Sequence, residues 1–306
     1  MLIVLAVVWL VIQRRGDTAP VVATEADRAL AAELRRDVET LCANGARSVY
    51  APEVLRAAEQ FIARELPERQ TYEADGVQVA NLILEVRGAT KPAEIVVIGA
   101  HYDSVDDSPG ADDNASGTAA LLALARRFRD AKPARTLRFV AFVNEEPPHF
   151  QHSTMGSWQY ARRCRERKEN VVAMLSLESI GYYDDREGSQ QYPAPLDVLY
   201  PNRGNFLGFA SNFGSRPLTR RCERAFRKHG RLPSEVAALP EAIPQIGWSD
   251  QWSFWQFGYK AVMVTDTAPF RNPHYHMPHD TPETLDYVRL AIAVDGLGVV
   301  IRELHE

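Results

Sequence analysis

The chain has 306 residues, 45% of them hydrophobic and 25% charged, with both signs represented and a formal net charge of −5. That supplies one sizeable core, and the mild acidity points to neither nucleic acid nor an acidic surface as a partner. Cys42, Cys164 and Cys222 are far apart, odd in number and free of CxxC spacing, so they suggest neither a disulfide framework nor a thiolate metal site, although an exported chain would leave one pair free to bridge.

Met1 to Ile12 is wholly apolar but well short of the ~20 residues of a spanning helix. Segment 1–15 reads as a truncated export anchor. A signal-peptide core, here without a basic n-region, and a plain apolar arm are the competing readings. Arg14 and Arg15 would leave the following part cytoplasmic if this were a complete anchor. Membrane attachment through this segment, with an anchored or exported location, is the resulting expectation. Segment 16–24 reads as a linker, and 25–306 as the functional domain.

Leu30, Leu34, Val38 and Leu41 then recur at helical spacing. A second helix opens at Pro52 with Leu55, Ala58, Phe61 and Ile62 as its stripe. Val79 to Arg87 and Ile95 to Ile98 read as neighbouring strands joined by a short turn. In SGTAALLALARRFRD, the residues Leu121, Leu124, Ala125 and Phe128 share a helix face, with charges on the opposite one. Strands and helices alternate to the end, where Asp280 and Glu283 fit a capping box around Pro282 for a last helix.

The runs Ile95 to Ile98, Leu137 to Val143, Val171 to Leu177 and Ala261 to Val264 are short and rich in Val, Ile and Phe, as in strands buried on both faces of an open α/β sheet. Each stops at or before acidic or histidine residues. Ligands of such sheets bind outside the carboxyl ends of the strands, where His101, Asp103, Glu145, Glu146 and Glu178 would fall. Without thiolates, zinc takes His nitrogen and carboxylate oxygen. His101, Asp113, Glu146, Glu178 and His276 suffice for two ions, and two ions ~3.5 to 4 Å apart need a shared anionic ligand. Asp113, in the tight GADDNASG turn, is the natural bridge. Of the adjacent pair, Glu146 binds metal and Glu145 serves as general base.

Five motifs, HYDS, GADDNASG, FVNEE, LSLESIGY and YHMPHDTPETLDY, occur in this order and resemble the M28 family of zinc aminopeptidases and related carboxypeptidases over residues ~70 to 290. The resemblance implies a single α/β domain with a central mixed, mainly parallel sheet flanked by helices. It assigns His101 and Glu178 to one zinc, Glu146 and His276 to the other, and Asp113 to both. It further implies that Asp103 orients His101 and that Tyr275 hydrogen-bonds the tetrahedral oxyanion. Glu178 departs from the family's more frequent aspartate, and Gln251 stands where relatives often have histidine after SD.

Other residues carry blander expectations. Asp112 forms the turn, His274 and His279 flank the ligand in a loop, and Asp106 and Asp107 are solvated. Asp250 is read as the N-cap of the WSFW helix or as an acceptor behind the site. Trp248, Trp252, Phe254, Trp255 and Phe257 mostly fill core. In the basic run RPLTRRCERAFRKHGR, Leu218, Cys222 and Phe226 mark an amphipathic helix with a solvated face and no assigned function.

The expected function is zinc-dependent exopeptidase action on peptides, removing an N-terminal residue, with two zincs per chain. A glutaminyl-cyclase-like acyltransferase and a non-catalytic binding ectodomain are the alternatives. Oligomeric state is not readable from the sequence.

Overall fold

The computed structural model describes residues 21–192 and 196–306; the apolar segment 1–15 and most of 16–24 lie outside them. Among the described residues no helix is long and apolar enough to cross a membrane.

Eight strands form one sheet: β1 (Glu68–Ala74), β2 (Val77–Val86), β3 (Lys91–His101), β4 (Arg135–Phe142), β5 (Asn170–Glu178), β6 (Leu207–Asn212), β7 (Ser234–Leu239) and β8 (Ala261–Thr265). Their order is β1-β2-β4-β3-β5-β8-β6-β7. The central strands β4, β3, β5 and β8 run parallel, while β1, β2 and β6 add antiparallel pairings on the flanks. This is the expected mixed, mainly parallel sheet of a single α/β domain. One expectation is corrected: β2 and β3 are not neighbours, because β4 inserts between them, antiparallel to β2 and parallel to β3.

Among the described residues, seven α-helices cover the sheet: α1 (Glu25–Cys42), α2 (Pro52–Ile62), α3 (Gly117–Phe128), α4 (Gly156–Glu166), α5 (Arg216–His229), α6 (Gln251–Gln256) and α7 (Tyr287–His305). Strand residues alternate between two cores. Val96, Ile98 and Ala100 of β3 join Leu34, Leu121 and Leu297 on one face, whereas Ile95 and Val97 join Tyr160 and Phe254 on the other. The connection β3 to β4 runs through α3 on the first face, and β4 to β5 through α4 on the second. The chain thus leaves β3 for one side, then crosses to the other. His101, the last residue of β3, stands at that switch point, where the loops diverge and open a crevice.

Helix α3 is buried from Gly117 to Ala125 on every side, not on one face only. It is wedged between the sheet and helices α1 and α7, and its charges gather in the last turn, where Arg126 bonds Glu33 and Asp37 at 2.7 Å. The capping box at Asp280 and Glu283 is also corrected. Pro282 opens a single 3-10 turn, Pro282–Thr284, and α7 starts after Asp286, whose side chain accepts from Arg289 N at 2.9 Å. Asp280 is drawn inward instead. Phe254 and Trp255 fill core as expected, whereas Trp248 stays 38% exposed.

Candidate metal centre

Four chain segments converge at the carboxyl edge of the sheet. His101 ends β3, Glu145 and Glu146 follow β4, Glu178 ends β5, and His276 comes from the loop before α7. Three of the local turns require left-handed backbone at non-glycine residues: Asn144 at φ 59°, Ser179 at φ 45° and His276 itself at φ 59°. Such residues cluster where surrounding structure holds the chain against its preference.

Two groups of donors share Asp113. His101 Nε2 lies 3.2 Å from Asp113 Oδ1 and 3.2 Å from Glu178 Oε2. His276 Nε2 lies 3.0 Å from Asp113 Oδ2 and 3.4 Å from Glu146 Oε2. Each group can therefore gather three ligand atoms about one ion. The chemistry of the set suits zinc, which takes imidazole and carboxylate together. His101 Nε2 and Glu146 Oε1, both buried, also lack a hydrogen-bond partner, as metal-ligand atoms would.

Asp103 stands behind the ligands. Its Oδ1 is 3.5 Å from His101 Nδ1, and its Oδ2 accepts the Glu146 amide at 2.9 Å. One carboxylate thus lies against a residue of each group. Glu145 Oε2 is 3.8 Å from His101 Nε2, and the side chain is buried beside the cluster. Tyr275 stacks on His276, with ring centroids 3.9 Å apart and planes 16° from parallel.

The charge distribution follows from this crowding. Burial, reinforced by Glu146 and Glu178, raises the Glu145 carboxyl well above the usual range against the pull of His101. Burial and Asp113 push Glu146 up to about 8. Asp113 is held low despite its burial, because the His101 and His276 rings lie against its two oxygens. Burial opposes the charged form of His276, but Asp113 and Glu146 outweigh it and raise the ring to about 10. A concentration of anions held by two imidazoles is a cation site in electrostatic terms.

The GADDNASG turn is held by groups that sequence reasoning missed. Asp280 Oδ1 accepts the Asp112 amide at 2.9 Å and Oδ2 the Asp113 amide at 3.1 Å. Asn114 donates to Leu177 O at 2.8 Å and accepts from Ser179 N at 3.1 Å, which ties the turn to the end of β5. Gly117 permits that approach, since a Cβ there would meet Leu177 O at 2.5 Å. The fully buried Arg47 donates to Tyr102 O at 2.7 Å and Gly110 O at 2.9 Å, bracing the loop between His101 and Asp113. A lone arginine before a helix carries no sequence signal for such a role. Ser249 and Ser179 donate to Glu178 at 2.7 and 2.9 Å.

Asp112 turns away from the candidate ligands, accepting from Gly181 N at 2.9 Å and Asn272 Nδ2 at 2.8 Å, which are long-range bonds and not the local turn bonds expected of it. Asp250 corrects its N-cap reading: it makes no capping bond, and both buried carboxylate oxygens lack a partner. Its burial raises it to about 7. Gln251 donates to Ile246 O at 3.0 Å. Asp106 and Asp107 are exposed, as is His279, whereas His274 is half-buried.

A cavity of about 140 Å³ opens beside Glu178 and Tyr275. Its walls are apolar, with Tyr192, Tyr200, Phe206, Trp248, Met263 and Phe270 among them. Ala210 of β6 and Ala237 of β7 lie along one side. No single stretch of sequence announces it, because its walls come from β6, β7 and β8, from the segment before β6 and from the loop after β8.

Histidines and carboxylates gathered at the carboxyl edge of an open sheet are the working parts of a metallopeptidase. The family model Peptidase family M28 matches residues 81–297. The chain belongs to peptidase family M28. It is 39% identical over 226 residues to the uncharacterized protein YfbL of Escherichia coli, covering 71% of this chain and 68% of that one. The solved aminopeptidase from Aneurinibacillus sp. strain AM-1 is 26% identical with a TM-score of 0.55, over 74% of this chain and 48% of that one. Tannerella forsythia glutaminyl cyclase shares the fold at 18% identity and a TM-score of 0.63, over 89% of this chain and 98% of that one. The chain spans about half the length of the probable leucine aminopeptidases it matches.

Proposed function

We propose that this metallopeptidase is a zinc-dependent aminopeptidase with a co-catalytic metal pair. The observation that carries the reading is Asp113, whose two oxygens face two different histidines, each backed by its own glutamate. In this reading His101, Asp113 and Glu178 would hold one zinc, and Asp113, Glu146 and His276 the other. Zinc, when bound, supplies Lewis-acid polarisation of a carbonyl and lowers the pKa of water.

The chain's own groups supply the rest. Glu145, buried beside the cluster, takes the proton of the attacking water at its carboxylate and delivers it to the leaving amine. Asp103 holds the His101 ring and the Glu146 backbone in place. Burial and the surrounding carboxylates keep the Tyr275 phenol protonated, so it can donate, as an oxyanion partner must. The apolar cavity beside Glu178 and Tyr275 accepts the side chain of the N-terminal residue and favours a bulky apolar one.

The deciding experiment combines zinc stoichiometry of the reconstituted protein with product analysis on peptides beginning with Leu or Gln. Two zincs per chain and release of the free amino acid support the reading. One zinc with pyroglutamate formed from the Gln peptide replaces it with the cyclase, whose fold this chain shares. Unchanged peptides favour a binding role.

A further inference from the structure

Charge is segregated on this molecule, although the whole chain carries −5. Along α5 the exposed positions are Arg216, Pro217, Arg220, Arg224, Arg227 and Lys228, while Thr219, Cys222, Ala225 and Phe226 face inward. Spacing by four places Arg216, Arg220 and Arg224 in one row. Carboxylates serve other cations of the helix and of the turn after it. Glu223 meets Arg227 at 3.2 Å, Glu303 is shared by Arg221 at 3.5 Å and Lys228 at 3.2 Å, and Asp27 takes Arg231. Among the described residues no carboxylate stands within ion-pair distance of Arg216, Arg220 or Arg224, and Arg224 donates instead to the Arg220 carbonyl at 3.1 Å.

A solvated helix face gains from mixed signs, and like charges four apart cost it stability. This row therefore calls for an anionic partner. Apolar groups flank it at both ends. Phe213, just before the helix, is 60% exposed. Beyond the other end, Arg231 donates to the carbonyl of Val22, which is 79% exposed. The chain thus arrives from residues 1–20 beside the C-terminal end of α5, and residues 1–12 are wholly apolar.

We propose that this face of α5 docks on the surface of an anionic lipid bilayer, with Arg216, Arg220 and Arg224 on headgroup phosphates and Phe213 and Val22 at the interface. Nucleic acid also presents phosphates, but it offers nothing to the exposed apolar residues at the two ends.

The test is flotation of the full chain with phosphatidylcholine vesicles and with vesicles containing one-third phosphatidylglycerol. Keeping residues 1–20 makes their apolar contribution common to both. The wild-type chain should prefer the anionic vesicles, and R216Q/R220Q/R224Q should lose on the order of 100-fold in partition to them while its partition to phosphatidylcholine stays unchanged. R162Q/R165Q/R167Q on and just after α4, across the sheet, should keep the preference. Thermal midpoints establish that both variants are folded. Equal partition of wild type and α5 variant overturns the proposal, as does an equal loss from the α4 substitutions. Retention on duplex DNA that depends on the same arginines, with no vesicle preference, overturns it in favour of nucleic acid.

Discussion

Asp280 and Asp113 are joined across 167 residues of sequence: the Asp280 carboxylate accepts the Asp113 backbone amide at 3.1 Å and the Asp112 amide at 2.9 Å. The carboxylate that faces both histidines is therefore aimed by another carboxylate beneath it. Asp280→Ala should lower zinc affinity about 10- to 100-fold without removing any ligand. Competition against a chelator of known affinity measures it, and unchanged affinity would show that the turn holds itself.

Glu145 contacts the cluster without completing either of the two triads that share Asp113. Glu145→Gln should cut turnover by about 10²- to 10⁴-fold and leave zinc stoichiometry unchanged. His276→Ala should instead lose one zinc. Activity assays paired with elemental analysis separate the two, and a fully active Glu145→Gln enzyme would remove the residue from its role as base.

The cavity wall at Ala210 offers a test of side-chain preference. Phenylalanine there should fill the space beside Met263 and lower kcat/KM for N-terminal Leu or Phe by about 10- to 100-fold, with little change for N-terminal Ala. A uniform loss across all three substrates would place the side-chain pocket elsewhere.

All three cysteines are buried, and burial pushes their thiols up, Cys42 to about 11 and Cys164 and Cys222 to about 12. Thiolate is the reactive form. The folded protein at pH 8 should therefore react with a disulfide reagent only after denaturant is added. Rapid labelling of the native chain would contradict this placement.

Arg231, assisted by Thr24, holds the Asp27 carboxyl well below the usual carboxylate range, and Asp27 also closes the capping box of α1. Since the folded value lies below the unfolded one, its stabilisation is complete above about pH 5 and fades as pH falls toward the folded value. Asp27→Ala should cost about 2 kcal/mol near neutrality, and the difference should shrink toward pH 3. Urea unfolding of both proteins at the two pH values checks the sign.

Much of the centre was legible in the sequence because buried parallel strands read as short unbroken apolar runs, and their ends are visible where polar residues begin. His101, Glu145, Glu146 and Glu178 all stand at such ends. His276 lies in a loop, and only its motif singled it out. Amphipathic spacing likewise marked α1, α2 and α5, since helical period and burial are local properties of a segment.

Partners distant in sequence were another matter. That β4 separates β2 from β3, that Asp280 leaves its own helix start to clamp Asp113, that Arg47 braces the loop between His101 and Asp113, and that Asp250 is buried without a capping bond all depend on which segments the packed sheet brings together. The apolar cavity arose in the same way, from residues of β6 and β7 and loops far apart in the chain. A residue's own pattern reports that it is buried or turned; which group it then meets is decided by long-range packing, whose contacts leave no periodic trace in the segment that makes them.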